Sequence, residues 1–248
     1  MIKALILAAG YATRLYPLTK EYPKPLLEVK DKPIIDHLVD KIALVKEIGE
    51  IIVITNSKFF PHFVKWRKGL KIDKPVEIID DLTKDNAGRL GAVGDINFAV
   101  ENRNIKDDLL IAGGDNIFDA ELFDFLTFAQ KKKPDPVIGV FDIKDKTEAK
   151  KYGVVKLGEG LRVVDFKEKP QKPFSTLVAM CLYYFPKERL GLIKEYMRHK
   201  NKGSDASGSY IDWLKENVPV YAFSFSGRWY DIGDMKFYGE AKAKFRSN

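Results

Sequence analysis

The sequence predicts an α/β layered domain whose sheet is mostly parallel in the first half of the chain. Short apolar runs that read as buried strands alternate with segments whose apolar residues recur at helical spacing. No repeat, low-complexity tract or flexible linker interrupts the alternation. With 248 residues, 45% of them hydrophobic, the chain is large enough to bury a sizeable core. Alternation of this kind is the pattern of a sheet covered by helices.

The elements follow in order. Residues 3–8 form the first strand, a short apolar run ended by Gly10. Residues 34–48 form a helix, because Ile34, Ile35, Leu38, Ile42, Val45 and Ile48 share one face, and Gly49 suits its C-terminus. Residues 51–55 are a second apolar strand, 60–70 a helix, 76–79 a strand and 92–100 a helix. Residues 109–112 are a short buried strand that stops at Gly113-Gly114-Asp115; 121–131 is helical and 137–143 a strand. The second half is richer in strands, at 154–157, 163–168, 178–185 and 220–225, with helices at 187–199, 209–216 and 235–245. Gly158-Glu159-Gly160 between two strand patterns predicts an antiparallel hairpin, and residues 202–208 read as a mobile loop. The whole is expected to be a single domain over 1–248, in two halves of about 1–115 and about 116–248.

Composition excludes several classes. No apolar run approaches the ~20 residues that span a bilayer, and the opening runs straight into a strand with no signal-peptide layout. The expectation is a cytoplasmic protein that does not act in a membrane. Cys181 is the only cysteine, which excludes an intrachain disulfide and agrees with a reducing compartment. The net charge of +7 favours anionic partners, yet the basic residues are spread along the chain without a tail, helical stripe or aromatic RNA-binding signature. Small phosphorylated ligands are therefore expected rather than nucleic acid.

Three stretches carry candidate chemistry. In "LILAAGYATRLYPLTKEYPKPLLEV" the first strand empties into a loop of small residues, Ala8, Ala9, Gly10 and Ala12. Such a loop beyond the carboxyl end of a strand exposes backbone N–H groups that cradle phosphate oxygens. Thr13 adds a hydroxyl, Arg14 a planar fork for phosphate and Lys24 a mobile point charge. Pro23 and Pro25 are expected to hold Lys24 in a fixed extended segment. Neither G-x-G-x-x-G nor G-x-x-x-x-G-K-[ST] is present. In "LLIAGGDNIF" a strand ends in two glycines and Asp115, whose carboxylate is placed to hold Mg²⁺. In "VVDFKEKPQKP", the alternating Lys and Glu taken alone read first as a solvated edge strand, and Pro170 fits an edge or a strand end.

The stretch "LILAAGYATRLYPLTKEYPKPLLEVKDKPIIDH", followed in order by "LLIAGGDNIF" and "GRWYDIGDMKFY", resembles the sugar-phosphate nucleotidyltransferases, also called nucleoside-diphosphate-sugar pyrophosphorylases. The nearest likeness is to glucose-1-phosphate thymidylyltransferases and their relatives, and it covers nearly the whole chain. The resemblance implies a three-layer α/β/α Rossmann-like fold with a mostly parallel mixed sheet, its nucleotide-binding half at about 1–115 and its sugar-phosphate-binding half at about 116–248. It implies a Mg²⁺-dependent enzyme in which a sugar 1-phosphate attacks the α-phosphate of a nucleoside triphosphate, giving a nucleotide sugar and pyrophosphate. Ala8, Ala9, Gly10, Tyr11, Ala12, Thr13, Arg14 and Lys24 would then bind the nucleotide phosphates, with Asp81 and Gly88 near the base. Arg14 and Lys24 would be catalytic, Lys24 stabilising charge at the α-phosphate and pyrophosphate. Asp115 and Asp231 would hold the metal, with Asp234 a weaker alternative. Gly153 would donate its N–H to the sugar, Glu168 would contact sugar hydroxyls and Lys169 the sugar's phosphate.

The chain departs from the resemblance at three places. The usual glycine is alanine at Ala12, a residue that tolerates left-handed backbone poorly. The segment "IIDDLTKDNAGRLGAVGD" lacks the glutamine that reads the base, leaving Asp81, Thr83 or the Gly88 backbone. "ASGSYIDWL" lacks an Arg and a Glu common near the sugar phosphate. Glucose 1-phosphate with dTTP or UTP is thus the first expectation. Cytidylyl or guanylyl transfer to mannose 1-phosphate, inositol phosphate or phosphocholine is the alternative, and a non-catalytic nucleotide-binding subunit the third. His37, His62 and His199 fall in no nucleophile arrangement, so packing or surface roles are expected. Self-association is expected from the family, and no regulatory domain of the kind some relatives carry is expected after the helix at 235–245.

Overall fold

The computed structural model describes residues 1–199 and 206–245. In chain order the elements are β1 (Ile2–Leu7), β2 (Glu28–Val29), β3 (Lys32–Pro33), α1 (Ile34–Ala43), β4 (Ile48–Thr55), α2 (Phe60–Gly69), β5 (Val76–Asp80) and α3 (Gly91–Asn102). There follow β6 (Asp108–Gly113), β7 (Asn116–Phe118), α4 (Phe123–Lys132), β8 (Val137–Asp142), α5 (Lys146–Ala149), β9 (Gly153–Leu157) and β10 (Val163–Glu168). The chain continues through β11 (Leu177–Phe185), α6 (Gly191–His199), α7 (Ser207–Asn217), β12 (Tyr221–Phe225), β13 (Trp229–Asp231) and α8 (Met235–Lys244). Two compact units take up these elements, one from Met1–Gly91, Ala112–Leu122 and the chain from Gly227 on, the other from Ala92–Ile111 and Phe123–Ser226.

The first unit is organised by a parallel sheet. β4 lies between β1 and β5, with Leu5 opposite Ile52 and Val53 opposite Ile78. Ile51 to Ile54 are wholly buried, as a parallel strand covered on both faces requires. α1 presents Ile34, Ile35, Leu38, Val39 and Ile42 to the interior. A second layer of core behind the opening loop joins Leu15, Val29, Ile34, Ile117, Ile232, Ala241 and Phe245. That cluster fastens the N-terminal loop to β7 and to α8. α8 is begun by Asp234, whose Oδ1 accepts the Phe237 N–H at 3.0 Å, a side-chain cap worth roughly 1 kcal/mol.

The second unit is mixed and largely antiparallel. β9 and β10 form the hairpin expected around Gly158, with Glu168 opposite Gly153. β11 pairs antiparallel with β8 and with β9, and β12 runs parallel to β8. Rings fill the interior: Phe125, Phe223 and Phe225 meet at centroid distances of 5.0 to 5.8 Å. α7 packs against β10, which brings its N-terminal turn to Glu168.

Two local expectations change. The helix stops at Ala43, well short of residue 48, and Gly49 lies inside β4. Ile2 pairs with Ile48 and Lys3 with Glu50, so Gly49 is the extra residue of a β-bulge, the other common use of a glycine near an apolar run. Residues 207 and 208 open α7 rather than closing a loop, while 202–205 lie outside the described residues. The elements missing from the sequence pattern are β2, β3, β7, β13 and α5, each of two to four residues and too short for a period to show.

His37 is buried on α1, donating from Nε2 to the Val29 carbonyl at 3.0 Å and standing edge-on to the Phe245 ring. Burial holds its pKa below the ordinary 6.5, against the opposing effect of the Val29 carbonyl. The folded state therefore resists a proton that the unfolded chain accepts, and stability is lost as pH falls through 6.5 toward the lower folded value. Urea midpoints at pH 7.5 and pH 5 are expected to differ more in the wild type than in His37→Gln, which keeps a donor but does not titrate.

Candidate active site in the first unit and a carboxylate cradle in the second

The opening loop leaves β1 at Ala8, whose N–H donates to the Ile54 carbonyl at 2.9 Å, and Ala9 is fixed by Asn56 Nδ2 on its carbonyl at 2.8 Å. Ala8, Ala9 and Tyr11 are buried, while Gly10, Thr13 and Arg14 are exposed at the surface. Ala12 adopts φ 47° and ψ 43°, so the left-handed turn is kept although the residue is alanine. Its carbonyl accepts from Leu15 N–H and from Thr19 Oγ1, at 2.9 and 2.8 Å, which offsets the strain. Thr13–Leu15 then form a short 3-10 turn that presents Arg14.

Lys24 is not in an extended segment. The extended residue is Pro23, φ −71° and ψ 136°, and Lys24 begins a 3-10 turn with Pro25 buried beneath it. The hydrogen bond from Leu27 N–H to the Lys24 carbonyl, at 3.0 Å, overrides the usual bias of a residue before proline. The turn directs the Lys24 ammonium inward, where Nζ donates to Asp115 Oδ2 and, at 2.9 Å, to the Ile232 carbonyl. The two side chains are only 15% and 27% exposed. Burial alone would lower the lysine pKa, but the charges of Asp115 and Asp231 and the Asp115 hydrogen bond outweigh it, against the repulsion of Arg14, and hold it above its ordinary value. Asp115, Asp231 and Arg14 are therefore all near enough to act on the Lys24 charge.

The acids are positioned by β7 and β13. Asn116 pairs with Asp231 in an antiparallel ladder, and Ile232 N–H donates to the Asp115 carbonyl at 3.3 Å. Gly114 precedes Asp115 at a crowded point, since a Cβ there would lie 3.1 Å from the Leu7 carbonyl and 3.4 Å from Pro25. Asp234 is engaged as the cap of α8 and Gly233 N–H bonds to the Asp231 carbonyl at 2.8 Å. The expected metal pair is thus brought together with Lys24, and the alternative acid is turned to a structural task.

The region expected near the base has a different character. Asp81 is buried, and its Oδ1 accepts from Thr83 N–H and Oγ1, both at 2.7 Å. Thr83 Oγ1 lies 3.4 Å from the Tyr11 hydroxyl, which joins this turn to the opening loop. Burial raises the Tyr11 pKa, the Thr83 hydrogen bond opposes it, and Asp81, Asp85 and Asp80 add to the rise. Gly88 is exposed, with its N–H donated to Asp85 Oδ1 at 2.8 Å. His62 stands edge-on to Tyr22 at 5.2 Å, a packing role, and the His199 side chain is outside the described residues.

In the second unit Glu168 ends β10 opposite Gly153. A Cβ at Gly153 would lie 2.3 Å from the Phe166 ring and 3.1 Å from Glu168 Oε2, and one at Gly208 only 1.9 Å from that oxygen. Two glycines therefore form a cradle for the carboxylate, one of them in the first turn of α7, where the helix dipole favours negative charge. Sequence reading missed Gly208 and Ser207; the signal was the small-residue run Ala206–Gly208 before a helical pattern. Ser207 Oγ lies 3.0 Å from the Tyr183 hydroxyl, whose pKa burial drives well upward, with Cys181 and Glu168 adding and Ser207 opposing. Lys169 follows with φ 46° and Nζ 3.1 Å from Glu168 Oε1, its backbone held by a hydrogen bond from its N–H to the Tyr152 carbonyl at 3.0 Å.

Comparison with known proteins points the same way. The family described as nucleotidyl transferase matches residues 3–248. A protein of Sulfolobus acidocaldarius, provisionally named mannose-1-phosphate guanyltransferase, is 30% identical over 96% of this chain and 61% of its own length. A glucose-1-phosphate adenylyltransferase of Clostridium acetobutylicum is 28% identical over 97% of this chain and 66% of its own. A Methanocaldococcus jannaschii bifunctional protein GlmU is 27% identical over 93% of this chain and 51% of its own. The chain thus spans from about half to about two thirds of the curated relatives it matches. The crystal structure of a provisionally named glucose-1-phosphate thymidylyltransferase from Bacillus anthracis, solved in complex with sucrose, superposes with a TM-score of 0.81. That match covers 100% of this chain and 98% of that one at 21% identity, and it establishes the shared Rossmann-like α/β fold.

Ala12→Gly is expected to stabilise the protein by about 1 kcal/mol, because glycine adopts the left-handed turn without a Cβ clash. Calorimetry should show the melting temperature rise by roughly 2–4 °C.

Proposed function

The chain belongs to the nucleotidyl transferase family, and on that premise we propose that it transfers a nucleotidyl group from a nucleoside triphosphate to a sugar 1-phosphate, releasing pyrophosphate. The observation that carries the reading is the Lys24 ammonium held between Asp115 and the end of β13, beside Asp231 and Arg14. Phosphoryl chemistry asks for fixed positive charge and positioned carboxylates at one phosphorus. Arg14 and Lys24 neutralise the triphosphate. The backbone of Ala8 to Arg14 carries it, with Tyr11, Asp81 and Gly88 toward the base.

Asp115 and Asp231 are assigned to Mg²⁺. Among the described residues no group of three or more His, Cys, Asp or Glu forms a metal site, so the protein offers this carboxylate pair. That donor set suits Mg²⁺, which takes one or two carboxylates together with substrate phosphates. The pair's field also attracts cations, since it keeps Lys24 charged against its burial. When bound, the ion supplies charge neutralisation at the transferred phosphorus. Glu168 and the Gly153 N–H are assigned to the sugar and Lys169 to its phosphate. The acceptor phosphate has a second pKa near ~6 and is mostly dianionic at neutral pH, so no general base is required.

Glucose 1-phosphate with dTTP or UTP is the first pairing to test. Guanylyl transfer to mannose 1-phosphate is the second, favoured by the 30% identical relative. Cytoplasmic residence and self-association belong to the same reading, supported by the lone Cys181 and by the family likeness.

A matrix of nucleoside triphosphates against sugar 1-phosphates, read by pyrophosphate release, is expected to give one strong pairing that EDTA abolishes. Lys24→Ala and Asp115→Asn should each lower kcat/KM by at least about 30-fold, corresponding to ~2 kcal/mol of lost transition-state stabilisation. Near-wild-type turnover in either variant would defeat the assignment. Gly208→Ala should raise KM for the sugar phosphate at least about tenfold, with triphosphate KM unchanged, because the new methyl displaces the Glu168 carboxylate.

A further inference from the structure

Asp115 and Asp231 are aligned by a ribbon of only three residue pairs, Asn116 with Asp231, Ile117 with Tyr230 and Phe118 with Trp229. A two-stranded ladder of that length is marginal by itself. A slip of one residue would turn every side chain to the opposite face and point Asp231 away from Lys24. The register therefore needs a fastening outside the ladder, and the structure contains one at the end far from the acids.

Asp119 directly follows β7. Its Oδ1 accepts the Arg228 backbone N–H at 2.7 Å, its Oδ2 accepts Arg228 Nε–H at 2.9 Å, and its own N–H donates to the Arg228 carbonyl at 3.2 Å. Gly227 lies against the carboxylate with φ 88°, and a Cβ there would be 2.3 Å from Oδ1. Only glycine allows this approach and this backbone angle together. Lys41 of α1 donates to the Asp119 carbonyl at 3.2 Å, tying the clamp to the core helix. Within the ribbon, Trp229 Nε1–H donates to Asn116 Oδ1 at 2.8 Å and braces the acid end. Burial would raise the Asp119 pKa, but the Arg228 donors and charge hold it below the ordinary carboxylate value, so the clamp stays ionised at neutral pH.

We propose that Asp119 is a positioning residue: its clamp on Gly227 and Arg228 fixes the register of β13 and so sets Asp231 beside Asp115. Asp119 acts through the strand, touching neither substrate nor metal. The functional consequence rests on the reading of Asp115 and Asp231 as the Mg²⁺ ligands.

The test uses the full chain and two readouts, hydrogen exchange of the β13 and Ile232 amides and Mn²⁺ affinity by electron paramagnetic resonance titration. Asp119→Ala should weaken Mn²⁺ binding about tenfold or more, the range seen when groups supporting metal ligands are removed, and should speed exchange at Ile232. Arg228→Ala should shift both readouts in the same direction by less; its side chain is 40% exposed, so it serves if Asp119→Ala does not fold. Asp135→Ala removes a carboxylate of equal exposure, 17%, from its pair with Arg189 and should leave both readouts unchanged. Wild-type exchange at Ile232 in Asp119→Ala, or in Arg228→Ala where that is the variant that folds, overturns the clamp. Wild-type Mn²⁺ affinity in Asp231→Asn would instead overturn the metal assignment, and the exchange data would still decide the clamp.

Discussion

Three distant stretches of chain meet at one ammonium group. Lys24 comes from the proline-flanked turn after the opening loop, Asp115 from the glycine pair after β6, and the Ile232 carbonyl from the end of β13. A cation so nearly covered must keep its partners, because a buried charge left unpaired costs far more than the pair gains by forming. The constraint runs outward from there. Gly114 has to be glycine-like in size to let the strand end pass the Leu7 carbonyl and Pro25, and α8 has to dock so that Phe245 and Ala241 close the core under Ile232.

The two units solve a similar problem by different backbone means. Around Glu168 the chain removes side chains, using Gly153 and Gly208 to let a carboxylate sit against backbone and at the start of a helix. In the opening loop it keeps a side chain where the backbone is left-handed, at Ala12, and compensates with two hydrogen bonds to that residue's carbonyl. Lys169 repeats the second device, holding φ 46° next to Glu168 with its N–H tied to Tyr152.

Much of this was legible in the sequence where a residue type has one dominant physical use. The apolar runs of β1, β4, β6 and β11 and the periodic faces of α1 and α8 read directly as elements. The small-residue loop, the Gly-Gly-Asp strand end and the second acid in family order marked the first site. What did not show were features whose cause lies far along the chain. β7 and β13 are three residues each and exist because they pair with one another. Gly49 looked like a helix end because its role depends on Ile2 and Lys3 forming the neighbouring strand. Asp119 carries no local pattern and Gly208 only a run of small residues; each is defined by the carboxylate or backbone it meets across the fold.

The first unit takes its last strand from residues that follow the whole of Phe123–Ser226. Lys24 and Ile232 are 208 positions apart, so their contact closes one of the longest loops the chain can make. Loop closure of that span carries an entropy cost that the contacts at both ends must offset. β1, β4 and β5 pair within the first 80 residues, whereas the second acid is supplied only by β13. A chain without β13 holds Asp115 but neither Asp231 nor the Ile232 carbonyl, so the cluster around Lys24 is complete only once that strand has paired with β7.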